Sequence, residues 1–181
     1  MKLMKILTLV VFCATASLIS APESVAQADS GKLTFYAPTA LNMRTALARD
    51  NYVVLEGSLT FSARYEFIYE QGTEGEVPTL HLYPDNLINM PKFFSNGAPV
   101  KDMIISIKNF KAAGRMLFGK PRTDSLIAGD YSLLQGKAVF VIDGLVASYQ
   151  CNKPHFSSVL TRIDNILEEV SKGEAKKRPG C

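Results

Sequence analysis

The side chains best suited to chemistry in this sequence are two histidines and one cysteine. Cys151 and His155 have three residues between them, a spacing that a metal ion can use, but a zinc site needs three or four ligands and two are too few. His81 lies between two leucines, so inward-facing leucines would place it on the polar face of a strand. We therefore expect no metal site and no cofactor, with His155 in a structural loop and His81 at the surface.

Neither histidine belongs to a recognisable catalytic motif. The sequence has no G-x-S-x-G elbow, no H-E-x-x-H helix, no C-x-x-C pair and no phosphate-binding glycine loop. A histidine can still act as a general base when a carboxylate lies within hydrogen-bond reach, and Glu66 and Asp143 are the candidate partners. One hypothesis is therefore a small hydrolase-like periplasmic enzyme that uses His81 or His155. The other, which the lack of paired catalytic groups favours, is a non-enzymatic binding module.

Aromatic and acidic side chains near a predicted turn are candidates for binding. Three aromatic residues have the alternating spacing of a ligand-stacking platform, but they continue the alternation of predicted core residues, which favours packing: Tyr65, Phe67 and Tyr69. The acidic residues of the turn would repel phosphate, so nucleic acid is not an expected partner. The predicted binding residues, which would line a groove between segments 70–78 and 150–157, are Tyr69, Glu74, Glu76, Lys153 and His155.

The first 28 residues are typical of a secretory signal. Two lysines precede an apolar segment from Ile6 to Ile19, and Ala26-Gln27-Ala28 is a small-x-small cleavage site. The apolar segment is shorter than the ~20 residues of a membrane span. We expect a periplasmic or secreted mature chain that begins at Asp29 and has no transmembrane segment.

The mature chain has the length of one domain. Its 153 residues, the 181 of the sequence minus 28, are enough for a single core, and we expect one β-rich domain over 29–172 with a basic, flexible tail over 173–181. Removing Lys2, Lys5 and Glu23 lowers the net charge from +3 by one, to +2. That is not the clustered positive charge of a nucleic-acid-binding protein.

Export would place the two remaining cysteines, Cys151 and Cys181, in an oxidising compartment where they can pair. A disulfide would tie the last residue of the chain to the end of a predicted central strand. The alternative is one buried and one exposed thiol, and the sequence leaves both open.

Alternation of apolar and polar residues predicts the strands. Residues 52–69 alternate with period two, with Gly57 as a possible bulge, and a polar turn then reverses the chain into 77–83. Residues 103–107 predict a third strand. The densest β signal lies in 138–149, where Asp143-Gly144 indicates either a hairpin turn or a bulge within one bent strand. We favour the bulge.

Three segments have the composition of helices. Residues 38–49 are rich in helix formers, and 124–134 has the pattern of a short helix. In 157–172, apolar residues recur at helical spacing. We predict a strand to Ile163 followed by a helix from Asp164 to Lys172, with one continuous helix as the alternative.

The resulting strand order resembles the five-stranded OB-fold. The resemblance rests on Leu55-Glu56-Gly57-Ser58-Leu59, on the segment from Gly136 to Leu145, and on Pro154-His155 followed by Val159-Leu160. Over residues 52–167 the chain is similar to uncharacterised small exported bacterial domains with a GK-x-V-x-V-x-G-x-L strand and a histidine-containing loop before the last strand, although it has one histidine where they have several.

This resemblance implies a mainly β fold. The expected architecture is a small five-stranded OB-like barrel or a curled antiparallel sheet, with one or two short helices. The family brings no settled activity, so the expected partner is an unknown protein or small-molecule ligand.

Overall fold

The computed structural model describes residues 33–36, 43–49, 51–72, 75–128, 133–150 and 153–172. The predicted signal and tail, Glu74, and both cysteines of the proposed disulfide lie outside these ranges. What was expected of them stays a prediction.

The described chain forms nine strands and one helix, which confirms a mainly β protein. The elements are β1 (Leu33–Tyr36), β2 (Met43–Arg49), β3 (Tyr52–Gly72), β4 (Gly75–Pro84), β5 (Lys92–Ser95), β6 (Ala98–Pro99), β7 (Ile105–Ile107), α1 (Phe110–Ile127), β8 (Leu133–Gln150) and β9 (Lys153–Lys172).

Six strands form one curled sheet in the order β2-β3-β4-β7-β9-β8, and β3 also pairs with β8. Because β8 is the last strand in this order, its pairing with β3 curls the sheet back on itself. A smaller sheet has the order β1-β5-β6. The curled sheet is mixed and has six strands, where an antiparallel sheet or a five-stranded barrel was expected, because β7 and β9 are parallel and β2 adds an end strand.

The alternation of apolar and polar residues along β3 separates a buried face from an outward face, as predicted. Its inward positions are buried, from Val53 through Leu59 to Phe67, while the polar positions between them face outward. The ladder with β8 shifts between Leu55 and Ser58, and Gly57 there has a φ of 119°. The bulge predicted at Gly57 is therefore confirmed.

Strand β8 is one bent strand, as the bulge interpretation of Gly144 predicted. Gly144 has a φ of 66°, a conformation that glycine adopts without steric cost. The inward positions of β8 are even-numbered up to Ile142 and odd-numbered from Leu145. The bend therefore changes which residues face the core, and β8 can pair with β3 on one side and β9 on the other.

Two predicted helices were wrong in place or in type. Residues 43–49 form β2 because pairing with β3 satisfies their backbone, and such tertiary pairing overrides weak helix propensity. The helix predicted at 124–134 is instead α1, from Phe110 to Ile127. Gly119 obscured it in the sequence, since its φ of 76° interrupts the helix before Pro121 starts the second segment.

The third wrong helix is the most informative. Residues 153–172 form a single strand, β9, against β8. The ladder contains repeated bulges, so Leu160, Ile163 and Ile166 pair with Ile142, Phe140 and Ala138. A spacing of three on β9 thus matches a spacing of two on β8, and helical-looking periodicity arises within a strand.

Both ends of the curled sheet are packed with aromatic side chains. Phe118 of α1 contacts Tyr65 and Phe67 of β3, with ring centroids 5.8 and 5.9 Å apart. Towards the β8–β9 turn, Phe93 of the small sheet contacts Phe156 at 5.0 Å. Among the described residues, no helix is long and apolar enough to span a membrane.

Candidate binding site on the outer face of the sheet

One row of outward-facing residues crosses the curled sheet. Glu66 pairs with His81 between β3 and β4, His81 pairs with Ser106 of β7, and Ser106 pairs with Ser157 of β9. Paired residues on adjacent strands face the same side of a sheet. These four polar side chains therefore share the outer face, opposite the buried Leu80 and Leu82.

His81 is the buried centre of this row. Its side of β4 was predicted correctly, but its exposure was not: it is only 3% exposed. The Ser106 hydroxyl lies 3.2 Å from Nδ1 and the Thr79 hydroxyl lies 3.3 Å from Nε2. Because a hydroxyl can donate or accept, these two contacts hold the imidazole ring in place.

Beside His81, three side chains form a closed network. The Tyr83 hydroxyl donates to Oε2 of Glu66 at 2.7 Å, and Arg64 donates to Oε1 of the same carboxylate. The Arg64 guanidinium also lies 4.2 Å from the centre of the Tyr83 ring, within cation–π range. The side chain of Glu66 is 14% exposed and that of Arg64 is 49% exposed, so the network presents the guanidinium to solvent.

A second ion pair extends the polar surface onto β8. Lys137 pairs in register with Arg64, and its Nζ lies 3.1 Å from Oδ2 of Asp85. Ser62 donates a hydrogen bond to the same carboxylate. The surface therefore carries two cations and two carboxylates, arranged as two adjacent pairs.

The residues predicted for binding lie at both ends of this surface. Tyr69 and Glu76 belong to the β3–β4 hairpin, where they pair with Pro78 and Gln71, and the structure does not describe their side chains. Glu74 lies outside the described residues. Their binding role remains a prediction.

At the other end, Lys153 is exposed and pairs with Gln150 next to the β8–β9 turn. His155 pairs with Ser148, and its Nε2 is buried with no hydrogen-bond partner among the described residues. The two predicted clusters do not meet. The polar row lies between them in the pairing order, with His81 six residues from Gly75 and Ser157 four residues from Lys153.

Of the carboxylates proposed as catalytic partners, only Glu66 is close to a histidine in the ladder. Asp143 is exposed and pairs with Val159, whereas His155 pairs five positions further along β8, or ~15 Å of strand. An Asp143–His155 pair is therefore not formed.

The sequence did not single out Arg64, Tyr83 or Ser106. Each occupies a polar position in an alternating strand, which is the ordinary composition of a solvated face. Their proximity depends on the registers of two ladders, β3–β4 and β4–β7. The sequence signal for this site was the recurrence of charged residues at alternate positions on the outward side of β3.

This surface carries side chains that form hydrogen bonds and ion pairs. Within the described ranges, no three histidine, cysteine, aspartate or glutamate side chains are grouped so as to hold a metal ion. The network instead offers a fixed guanidinium, a tyrosine ring and several hydroxyl groups.

Comparison with protein-family models, with curated proteins and with solved structures finds no match for this chain.

Proposed function

We propose that this chain is an exported, non-enzymatic binding module that takes a polar ligand on the outer face of β3, β4 and β7. The observation that carries the proposal is the Arg64–Glu66–Tyr83 network, in which Glu66 is paired in the β3–β4 ladder with the buried His81. Binding sites gain affinity when their polar groups are already fixed before the ligand arrives. Export is supported by the signal-like first 28 residues.

We also propose that the curled sheet is a small five-stranded OB-like barrel, of the kind suggested by the resemblance to small exported bacterial domains. The cycle of pairings β3-β4-β7-β9-β8-β3 supports this architecture. The position of α1 supports it too, because α1 lies in the chain between β7 and β8, the third and fourth strands of this cycle in sequence order. OB-folds bind ligands on the face of strands 2 and 3 and with the loops between strands 1 and 2 and strands 4 and 5. Here that face is β4–β7, and those loops correspond to the β3–β4 and β8–β9 connections, beside the predicted binding residues.

The charges of the surface indicate the class of ligand. Arg64 and Lys137 are each paired with a carboxylate, Glu66 and Asp85. A polyanion would therefore meet as much negative as positive charge, and nucleic acid is disfavoured. A neutral or zwitterionic ligand that both donates and accepts hydrogen bonds fits better.

The test is capture of a partner from the protein's own exported fraction by crosslinking and mass spectrometry, with Arg64→Ala as the disrupting variant. Arg44→Ala is a matched control, because Arg44 also forms an exposed ion pair, 3.1 Å from Glu56, away from the surface. We expect Arg64→Ala to weaken binding by about tenfold or more, the effect of losing an anchoring arginine. Arg44→Ala should leave binding unchanged.

Capture that survives Arg64→Ala would place binding elsewhere. An absence of both a captured partner and any thermal shift with saccharides, peptides and nucleotides would count against a binding module.

A second function has one specific observation in its favour. The Ser106 hydroxyl lies 3.2 Å from Nδ1 of His81, within reach for a serine nucleophile and its general base, and Glu66 is the adjacent carboxylate. Acyl transfer also needs donors for the oxyanion. Because β7 is paired on both sides, its backbone N–H groups are used in hydrogen bonds of the sheet rather than directed at an oxyanion. A binding function is therefore better supported than acyl transfer.

A fluorophosphonate probe separates the two functions. A hydrolase would be labelled at Ser106, and Ser106→Ala would abolish the labelling. Absence of labelling in a folded protein that retains its ligand would remove the enzyme hypothesis.

A further inference from the structure

A second row of outward-facing residues crosses the sheet at the end that carries the β8–β9 connection. Arg49 of β2 pairs with Tyr52 of β3, Tyr52 pairs with Ser148 of β8, and Ser148 pairs with His155 of β9. Paired residues on adjacent strands face the same side of a sheet. This side is the outer face, because the neighbouring residues along β3, β8 and β9 are buried in the core: Val53, Ala147 and Phe156.

Lys153 and Gln150 extend this row towards the β8–β9 connection. Lys153 lies two residues from His155 along β9 and therefore faces the same side. It pairs with Gln150 of β8, and both residues are exposed. We call the resulting set, which contains two cations and no carboxylate, the basic patch: Arg49, Tyr52, Ser148, Gln150, Lys153 and His155.

The two cations of the basic patch differ from those of the polar surface on β3, β4 and β7. There, Arg64 and Lys137 each lie beside a carboxylate. Within the described ranges, neither Arg49 nor Lys153 forms an ion pair, and both are exposed. Positive charge that no neighbouring carboxylate balances attracts anionic ligands.

The spacing of the two cations indicates the kind of anion. Arg49 and Lys153 lie on strands three spacings apart, or ~14 Å along the sheet. In an extended peptide, residues four positions apart are separated by ~13 Å, so two acidic side chains of one peptide match this distance. Nucleic acid fits less well, because its affinity comes from many phosphate contacts and the patch offers two cations.

An exposed aromatic ring lies between the two cations in the pairing order. Tyr52 is 39% exposed, and Leu47, which pairs with Val54 on the same face of β2 and β3, is 38% exposed. Aromatic side chains are enriched at the centre of protein interfaces. The patch therefore offers an apolar contact between two charged ones.

His155 provides an independent sign of a site in the same patch. Its Nε2 is buried and has no hydrogen-bond partner among the described residues. An unpaired buried polar atom destabilises a folded protein, so packing alone does not account for a histidine at this position. Such departures from complete pairing occur at functional sites.

We propose that the basic patch binds an extended acidic segment of a protein partner. The segment has two acidic residues about four positions apart, which contact Arg49 and Lys153, and an apolar residue between them, which covers Tyr52. This site is separate from the polar binding surface, because it shares no residue with the row from Glu66 to Ser157.

The test uses a fluorescent nonapeptide with two aspartates four positions apart and a leucine midway between them. Its dissociation constant is measured by anisotropy on the full chain from an exporting host, at physiological salt. We expect Arg49→Ala and Lys153→Ala each to raise the constant about three- to fivefold, the effect of losing one exposed ion pair. Because the two residues are far apart, the double variant should multiply these effects, to about tenfold or more.

Two matched variants remove exposed cations outside the patch. Arg44→Ala acts on the same strand as Arg49, and Lys111→Ala acts on α1. Both should leave the dissociation constant unchanged, since salt screens charges more than about 8 Å away. Circular dichroism of every variant checks that the β fold is kept.

A second peptide, with glycine in place of the leucine, tests the contact with Tyr52. Tyr52→Ala should weaken binding of the leucine peptide and leave binding of the glycine peptide unchanged. This difference places the middle of the peptide over the ring.

Three results would overturn the proposal. The first is a folded protein that does not bind the acidic peptide at millimolar concentration, or binds it no better than the same peptide with asparagines. The second is binding that Arg49→Ala and Lys153→Ala weaken no more than the two control variants do. The third is a single-stranded oligonucleotide that binds the patch more tightly than the peptide, which would assign the site to nucleic acid.

Discussion

At the scale of single residues, Tyr65 is the most unusual group in the core. It is fully buried, and its hydroxyl has no hydrogen-bond partner among the described residues. The ring lies across Gly136 on β8, where an added Cβ would come within 2.4 Å of the hydroxyl oxygen. The absence of a side chain at Gly136 therefore makes the space that the phenol occupies.

This environment predicts a stability change at high pH. Burial, and secondarily the negative charge of Glu168, raises the pKa of Tyr65 from 10.0 to about 12. Between these values the folded protein keeps a proton that the unfolded chain releases, so the contribution is complete below pH 10 and is lost as the pH rises to about 12. Two pKa units correspond to roughly 2 to 3 kcal/mol.

The variant Tyr65→Phe isolates that contribution. Its free energy of unfolding, measured with denaturant, should fall less steeply between pH 10 and pH 12 than that of the unaltered protein. Near pH 7 the substitution should cost less than about 1 kcal/mol, because it removes an unpaired buried hydroxyl. A larger loss near pH 7, or identical slopes at high pH, would show that the hydroxyl is hydrogen-bonded or does not titrate as described.

At the scale of secondary structure elements, a single side chain joins three of them. Asn109 lies between β7 and α1, and its amide forms two hydrogen bonds with the backbone of Leu160 in β9. Nδ2 donates to the carbonyl at 2.8 Å, and Oδ1 accepts from the N–H at 2.9 Å. The side chain thereby continues the parallel β7–β9 ladder after the backbone has turned into the helix.

Removing this amide should destabilise the fold. Asn109→Ala leaves two partly buried backbone groups of Leu160 without these partners, and each unsatisfied group costs about 1 to 3 kcal/mol. We expect a total loss of about 2 to 4 kcal/mol in the free energy of unfolding. Asn165→Ala, at an exposed position of the same strand, should change it by less than about 0.5 kcal/mol. Equal effects of the two substitutions would contradict this role for Asn109.

At the scale of the whole molecule, the curl of the sheet separates two surfaces with different chemistry. One outward row starts with Leu47, Val54 and Val146 and continues through Ser157, Ser106 and His81 to Glu66. Its first part, on β2, β3 and β8, is apolar, whereas its last part, on β9, β7, β4 and β3, is polar. The two parts therefore form regions of the outer face with different chemistry.

Local sequence patterns were enough to predict the mainly β class, the long alternating β3, a third strand over 103–107, of which Ile105–Ile107 forms β7, and the bulges at Gly57 and Gly144. These features depend on local rules, namely a period of two and the φ values that glycine permits. The same patterns also predicted that Tyr65 and Phe67 belong to the core and that His81 faces outward, since alternation alone assigns the side of a strand.

The other features depend on pairing between distant strands. The strand at 164–172 arises from repeated bulges against β8, and β2 forms because β3 offers it a ladder, so neither follows from local propensity. The candidate site depends on the registers of two ladders: β3–β4 places Arg64 beside Tyr83 and Glu66 beside His81, and β4–β7 places Ser106 beside His81. These residues are distant in the sequence or separated by core positions, and a register is set by the packing of the whole sheet rather than by any one strand.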